Sequence, residues 1–331
     1  MNHPRSFDDT FSSNILGNDC SKYRNDEDIV HNFPFVIQLN PFNSKTEMAY
    51  AKMKNKHVYQ LNIIQQKHCI PPLIFCLKNL SILEIDNTSF CQSKGQLPRD
   101  IARLRRSLTD LSISNTEISH VPDELGQLKH LKRIKFSNIG LTTLPDSIEN
   151  LSSLEFLLLP QNNLSSFPKT LHNVRSLHQL DVTQNPTLNS FIYLNGHPTL
   201  RYLNTRQCSF KHLPQNLPQL DTLDMIENDL TDLHGIDTLG HQSSKMKKFS
   251  FLGNQINVLT PSIKFVRHLF QLNLARNHLH VLPEDIFHIN SLKELNIAKN
   301  VFNPRDLQKI VSHFNQTNPK LTLIHDLSQS I

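Results

Sequence analysis

The sequence predicts an α/β solenoid in which about eleven repeated units each give one short strand to a parallel sheet on the concave face. Three observations support this prediction: an apolar pattern that returns about every 23 residues, a regularly placed Asn after it, and a Leu-Pro step followed by spaced apolar residues. An open array exposes an apolar edge at each end, so we also expect helical caps at both ends.

The apolar pattern predicts the strands. Leu131, Ile134 and Phe136 occupy the first, fourth and sixth places of one unit, and other units repeat this order. Side chains two residues apart leave the same face of a strand, so the fourth and sixth places face a core that only stacked units can bury. The first places are Val58, Leu80, Leu108, Leu131, Leu154, Leu177, Leu200, Leu220, Met246, Leu269 and Leu292, and six of the ten intervals are 23 residues.

The ninth place predicts a ladder of asparagines. An Asn amide offers donors and an acceptor, so a column of them can bond the turns of neighbouring units. The column contains Asn162, Asn185, Asn228, Asn254, Asn277 and Asn300, with Thr88, Thr116 and Cys208 as partial substitutes. Ile139 cannot substitute, so we expect an irregularity there, with Asn138 rotated inward.

A Leu-Pro step or its equivalent follows the turn in six units, as in Leu144-Pro145 and Leu282-Pro283, and apolar residues such as Ile148 and Leu151 come after it. This returning segment is bulkier than a strand, so the stack bends with the strands inside. From Val58 to Asn303 the pattern resembles the leucine-rich repeat family. The resemblance implies a horseshoe fold and a partner on the concave sheet. The repeat units are similar to those of Ras-scaffold and plant intracellular leucine-rich-repeat proteins and to those of effectors that bacterial pathogens inject into host cells.

The predicted organisation is a disordered polar tail at 1–30, an N-terminal cap at 31–57, repeats at 58–303 and a C-terminal cap at 304–331. A capping box at 44–47 predicts a helix to about Asn55 in the first cap. In the second cap, Asn303-Pro304 predicts a helix start, with Leu307 and Phe314 among the residues on its buried face, and a short strand after Pro319.

Composition predicts a cytoplasmic protein, with export into a host cell by a specialised system as the alternative. Five Cys form an incomplete disulfide framework and do not show zinc spacing, and no apolar signal segment or membrane span is present. A net charge of +5 is too mild to predict a nucleic-acid partner. The glycosylation sequons at Asn79, Asn87, Asn150, Asn163 and Asn315 are attributed to chance in an intracellular chain.

Catalytic and cofactor motifs are missing from the sequence, so we expect neither an enzyme nor a bound cofactor or metal. His278 and His280 form a close pair, but no carboxylate or Cys accompanies them. The alternative is a role in ubiquitin transfer, as in effectors that carry a ligase domain after their repeats. About 28 residues follow Asn303, and no Cys follows Cys208 to serve as a thioester nucleophile.

The third, fifth and seventh places face the concave surface, and one region there has the composition of a binding site. Phe156, Leu158 and Pro160 are apolar where exposed residues are expected. Neighbouring units add cationic and aromatic side chains, namely Arg133, Lys135, Tyr202 and Arg206. The alternative is that Phe156 and Leu158 are covered by neighbouring side chains. The predicted function is a non-enzymatic intracellular protein–protein interaction module that holds a protein partner at these seven residues.

Overall fold

The computed structural model describes residues 19–41 and 48–326, which contain one sheet of fourteen strands arranged in chain order. All neighbouring strands are parallel except the second and third. The third to the thirteenth strands come from the repeats, one strand from each repeat. The strands are β1 Gln38–Leu39, β2 Ala49–Lys54, β3 His57–Ile64, β4 Ile82–Asp86, β5 Asp110–Ser114, β6 Arg133–Ser137, β7 Phe156–Leu158, β8 Gln179–Asp181, β9 Tyr202–Asn204, β10 Thr222–Asp224, β11 Lys247–Ser250, β12 Leu269–Asn273, β13 Glu294–Asn296 and β14 Thr322–Ile324.

The core lies behind the sheet, as the apolar pattern predicts. Leu157, Leu159, Leu180 and Val182, at the fourth and sixth places of two repeats, are at most 1% exposed. Neighbouring strands are in register, so each fourth-place side chain stacks on the one in the next repeat. The fold is therefore a leucine-rich repeat solenoid with a continuous apolar interior.

Short 3-10 helices form the convex side where the Leu-Pro step was predicted to return the chain. Five of them begin directly after a proline, and in four this is the proline of a Leu-Pro step or its equivalent. The prolines are Pro71, Pro98, Pro122, Pro145 and Pro283. These segments are wider than the strands, which curves the stack around the sheet. The convex 3-10 helices span Pro72–Cys76, Arg99–Leu104, Asp123–Gln127, Asp146–Asn150, Leu171–Asn173, Ile236–Thr238, Pro261–Phe265 and Glu284–His288, and another lies at Cys20–Lys22.

A left-handed residue ends the strand segment of every repeat, at the eighth place. Its φ is 59° at Gln161 and 69° at Gly253. This conformation turns the chain so that the ninth-place side chain points inward. The set is Gln65, Asn87, Asn115, Asn138, Gln161, Gln184, Gln207, Glu227, Gly253, Arg276 and Lys299.

The asparagine ladder forms as predicted. In the buried Asn162, Nδ2 donates to the carbonyl of Phe136 at 2.8 Å, and Oδ1 accepts from the N–H groups of Ile139 at 3.2 Å and Leu141 at 3.1 Å. The side-chain amide of Asn162, in the following repeat, thus bonds the backbone N–H groups of the turn at Ile139. The predicted inward rotation of Asn138 is wrong, because this left-handed eighth-place residue is exposed and donates to Asn115 instead.

The N-terminal cap is a hairpin, and the helix predicted to extend to about Asn55 is wrong. The capping box at 44–47 lies outside the described residues. Residues Ala49–Lys54 form β2, which pairs antiparallel with β3. The first repeat strand otherwise has an unpaired edge, and pairing it outweighs a weak local helix signal.

The chain from residue 19 packs on this cap, which differs from the disordered tail expected for residues 1–30. Asn25 caps helix α1 (Asp26–His31), whose Ile29 and Val30 are buried. The carboxylate of Asp26 accepts the backbone N–H of Val58 at 2.8 Å and lies 3.5 Å from His57. Residues 1–18 lie outside the described chain.

Two disulfides, Cys20–Cys76 and Cys69–Cys91, join parts of the N-terminal cap and first repeats. Two pairs with one cysteine left over agree with an incomplete framework, but the sequence analysis had assigned none of these four cysteines to a pair. The partners are 56 and 22 residues apart in sequence, and only the stacking of cap and repeats brings them together. Cys208 alone is free, and it is buried.

One first-place assignment is also wrong. Met246 is 65% exposed, whereas Lys247 is fully buried and pairs with the first-place Leu269 across a register shift. Its ammonium donates to the carbonyls of Ser243 and Lys245 within the long insertion of that repeat. Burial lowers the pKa of Lys247, although the carboxylate of Asp221 opposes this shift.

The helix and the short strand predicted after Asn303 both form. Helix α2 (Pro304–Thr317) begins after Asn303, whose side chain accepts the N–H of Asp306 at 2.9 Å. Leu307, Ile310 and Phe314 face the core and are buried, and β14 then pairs parallel with β13. The helix therefore covers the last repeat of the array.

Candidate functional site

The seven predicted site residues lie on or directly after three strands of the sheet, and we call them the concave patch. Arg133 and Lys135 lie on β6, Phe156 and Leu158 on β7, and Tyr202 on β9. Pro160 and Arg206 follow the ends of β7 and β9. All seven are at least partly exposed, although Phe156 and Leu158 are half-buried and the Phe156 ring lies under the Arg133 side chain, as the alternative of cover by a neighbour expects.

The cationic and apolar halves of the concave patch touch. Arg133 is the register partner of Phe156, and its guanidinium carbon lies 4.1 Å from the centre of the Phe156 ring. The same guanidinium is 3.6 Å from the carboxylate of Asp110 on the preceding strand. This contact places a cation over an aromatic face and stabilises the pair by about 0.5–1 kcal/mol at an exposed site.

Tyr202 lies two strands from Phe156 in the same row, with Gln179 between them in register. Two strand spacings place the backbone of Tyr202 about 10 Å from that of Phe156. Burial raises the pKa of the Tyr202 phenol, and the nearby carboxylates of Asp181 and Asp224 raise it further. The phenol therefore stays protonated and can donate a hydrogen bond at neutral pH.

Sequence reasoning missed the acidic members of this surface. Asp181 and Asp224 flank Asn204, which donates to Asp181 at 3.3 Å. Burial raises the pKa of Asp224. Both acids occupy the outward fifth place of their repeats, so the sequence already placed them on the concave face. The prediction selected only cationic, aromatic and apolar residues and left them out. The patch therefore has a basic side at Arg133 and Lys135 and an acidic side at β8 to β10.

A cavity of about 300 Å³ adjoins the basic side. It opens on the concave face of β3 to β6 and combines carboxylates, amides and cations. Its polar lining residues are Gln60, Glu84, Asp110, Ser112, Arg133 and Lys135. The concave patch thus continues into a polar depression at the N-terminal repeats.

The described residues contain no accessible nucleophilic thiol. Four cysteines are in disulfides, and burial raises the pKa of Cys208 to about 12. In residues 19–41 and 48–326, no three His, Cys, Asp or Glu side chains are grouped as metal ligands. None of the helices in these two ranges is long and apolar enough to cross a membrane.

The comparisons with known proteins identify the repeat. A family described as a leucine-rich repeat region matches residues 57–194. No curated protein sequence matches the chain significantly. An internalin, InlF, of Listeria monocytogenes superposes with a TM-score of 0.56 at 17% identity, over 82% of this chain and 87% of the internalin.

Two further solved structures are complexes. A chain from the octameric complex of Latrophilin 3, Unc5D and the leucine-rich repeat protein FLRT2 has a TM-score of 0.56 and 17% identity, over 77% of this chain and 84% of its own. A chain from the LRIM1/APL1C complex has a TM-score of 0.57 and 17% identity, over 80% of this chain and 47% of its own. Identities this low show a shared fold. Together with the family match over residues 57–194, the eleven repeat strands and the asparagine ladder, they show that the chain is built of leucine-rich repeats.

Proposed function

We propose that the chain is a non-enzymatic interaction module that holds a protein partner against its concave patch. The observation that carries this proposal is the Arg133–Phe156 stack with Tyr202 two strands away. Arg, Tyr and exposed aromatic rings are enriched where protein interfaces concentrate their binding energy. The FLRT2 and LRIM1/APL1C structures, which are complexes by name, support the same class of function.

The mixed charge of the surface indicates what the partner must present. A partner segment that lies across β6 to β10 meets cations first, then Phe156 and Leu158, then the carboxylates of Asp181 and Asp224. Charge complementarity of this kind sets orientation and partner choice more than total affinity. We expect a partner with an apolar centre and acidic and basic groups on opposite sides.

Ubiquitin transfer, the alternative predicted from the sequence, is disfavoured by the state of the cysteines. A thioester mechanism needs a thiolate that reaches another protein. Cys208 is buried and stays protonated at neutral pH, because burial raises its pKa to about 12. We expect the purified protein to leave a ubiquitin-charged conjugating enzyme intact, and discharge that requires one of the five cysteines would contradict this proposal.

The two disulfides favour an oxidising compartment over the cytoplasm, where thiols are kept reduced. The predicted cytoplasmic location depended on the odd, sparse cysteine count and on the lack of an apolar signal segment. The role as a bacterial effector in a host cell stays a prediction, and the disulfides weigh against it because an injected protein works in a reducing cytoplasm.

Paired alanine substitutions test the concave patch. We expect Phe156→Ala with Tyr202→Ala to remove more than 2 kcal/mol of binding free energy for a partner captured by the unaltered protein, a loss typical of a hot spot. Binding is measured by calorimetry with the purified partner, after its identification by affinity capture from the source and mass spectrometry.

Phe265→Ala is the matched control. Phe265 is 59% exposed on the convex side and also lies under a cation, with the ammonium of Lys264 at 5.3 Å from its ring. The control should bind as the unaltered protein does. Equal binding by the concave variant, or equal loss in the control, would place the partner elsewhere.

A further inference from the structure

We propose that the chain carries N-linked oligosaccharides at its five sequons, Asn79, Asn87, Asn150, Asn163 and Asn315. Each has the form Asn-x-Ser/Thr without proline at the middle position. The sequence alone leaves them as chance matches, because it shows no apolar signal segment. The two disulfides favour the secretory route independently, since disulfide formation and N-glycosylation both occur on it.

All five acceptor side chains are exposed. In the described part of the chain, none of these five amides forms a hydrogen bond, so attachment of a sugar breaks no interaction of the fold. The amide of Asn163 shows this most clearly, because its neighbour Asn162 is buried and fully bonded in the ladder. Of these two adjacent asparagines, Asn162 is structural and Asn163 is available as an acceptor.

The ladder asparagines are not acceptors. Asn185 is followed by a hydroxyl residue at the required distance, Thr187, but Pro186 between them blocks glycosylation. Asn185 is fully buried and donates to the carbonyls of Leu159 and Val182. A sugar on this residue would destroy the ladder, whereas a sugar on any of the five sequons would not.

The sequons lie away from the concave patch. None of the five is within a strand of the described sheet: Asn79 and Asn150 lie at the ends of convex segments, Asn87 and Asn163 follow strands at the turns, and Asn315 lies in α2. Oligosaccharides there would cover the edges and convex side and leave the concave face open. The modification is therefore compatible with a protein partner on that face.

The reaction needs a lipid-pyrophosphate-linked oligosaccharide as donor. The bond from the first sugar's anomeric carbon to the pyrophosphate oxygen breaks, and that carbon bonds to Nδ2 of the asparagine. The lipid pyrophosphate leaves, and the amide nitrogen loses one proton. No redox step is involved.

The test is peptide mass spectrometry of the native full-length protein after enzymatic release of N-glycans in ¹⁸O-water, which labels each formerly glycosylated asparagine. We expect label at all five asparagines and, in denaturant, alkylation of Cys208 alone before reduction. If all five asparagines are unlabelled, the proposal is wrong, whether or not the cysteines are paired.

Adjacent serines provide matched variants for the protein expressed in secretory cells. Ser152→Ala and Ser165→Ala each destroy a sequon without altering its asparagine, whereas Ser153→Ala and Ser166→Ala leave it intact. We expect the first two to lose the mass of one oligosaccharide each and the other two to keep it. Unchanged mass in all four variants would contradict acceptor roles for Asn150 and Asn163.

Discussion

At the scale of single residues, the neighbouring Asn162 and Asn163 show how position in the repeat decides what an identical side chain does. The ladder amide satisfies backbone groups of two repeats, including the N–H groups of Ile139 and Leu141. The next amide is exposed and has no partner in the described chain. Identical chemistry therefore contributes to stability at one position and is available for modification at the next.

We expect Asn162→Ala to lower the free energy of unfolding by about 3 kcal/mol, because it leaves several buried backbone groups without a partner. Asn163→Ala, the matched control, should change it by less than about 0.5 kcal/mol. Urea denaturation monitored by circular dichroism measures both. Similar losses in the two variants would mean that the ladder does not carry this stability.

His197 lies in the apolar core and is fully buried. Its Nδ1 accepts the N–H of Leu200 at 3.2 Å, and burial lowers its pKa to about 4. The unfolded chain binds the proton near pH 6.5, so the unfolded state gains protons first as the pH falls. Folding stability is therefore retained above pH 6.5 and decreases from there to about pH 4, by up to about 3 kcal/mol.

His197→Asn tests this linkage, because Asn keeps an acceptor near the position of Nδ1 but does not titrate. We expect the difference in stability between the two proteins to change by about 3 kcal/mol between pH 7 and pH 4. Denaturation curves at several pH values measure it, and a constant difference would contradict the assigned pKa.

At the scale of elements, the convex helices pack so closely that a side chain is excluded at one position. A Cβ on Gly126 would lie 2.4 Å from the carbonyl oxygen of Ser147 in the next 3-10 helix. Backbone atoms cannot yield as a flexible side chain can. We expect Gly126→Ala to destabilise the protein by about 1–3 kcal/mol in thermal denaturation.

Glu149→Ala is the control for this prediction, since Glu149 holds the same place in the next helix and is exposed. It should leave the melting temperature nearly unchanged. A neutral Gly126→Ala variant would show that the two helices can separate without cost.

At the scale of the whole molecule, the array is close to one-dimensional, because each strand pairs only with its neighbours in sequence. Both disulfides lie within residues 20–91, so they constrain the N-terminal cap and first repeats alone. In the chain-entropy account, each link contributes about 3–4 kcal/mol for loops of these lengths. Loss of the two disulfides should therefore destabilise the N-terminal cap and the first repeats and leave the distant repeats unaffected.

We expect reduction of both disulfides to speed amide hydrogen exchange in β2 to β4 and to leave β12 and β13 unchanged. Hydrogen exchange with peptide mass spectrometry on oxidised and reduced protein measures this, with the distant strands as an internal control. Uniformly faster exchange along the chain would mean that the repeats unfold as one cooperative unit.

The solenoid, the buried faces, the asparagine ladder and the C-terminal helix could be predicted from the amino-acid sequence, because each depends on a periodic or local pattern such as the spacing of Leu154, Leu157 and Leu159. The seven residues of the concave patch could also be assigned to the concave side from their places in the repeat. The Arg133–Phe156 stack, the acids around Tyr202, the buried Lys247, the β2–β3 hairpin and the two disulfides depend on contacts between chain segments. These features could be found only in the folded molecule, because such contacts have no period in the sequence and form only when the repeats stack.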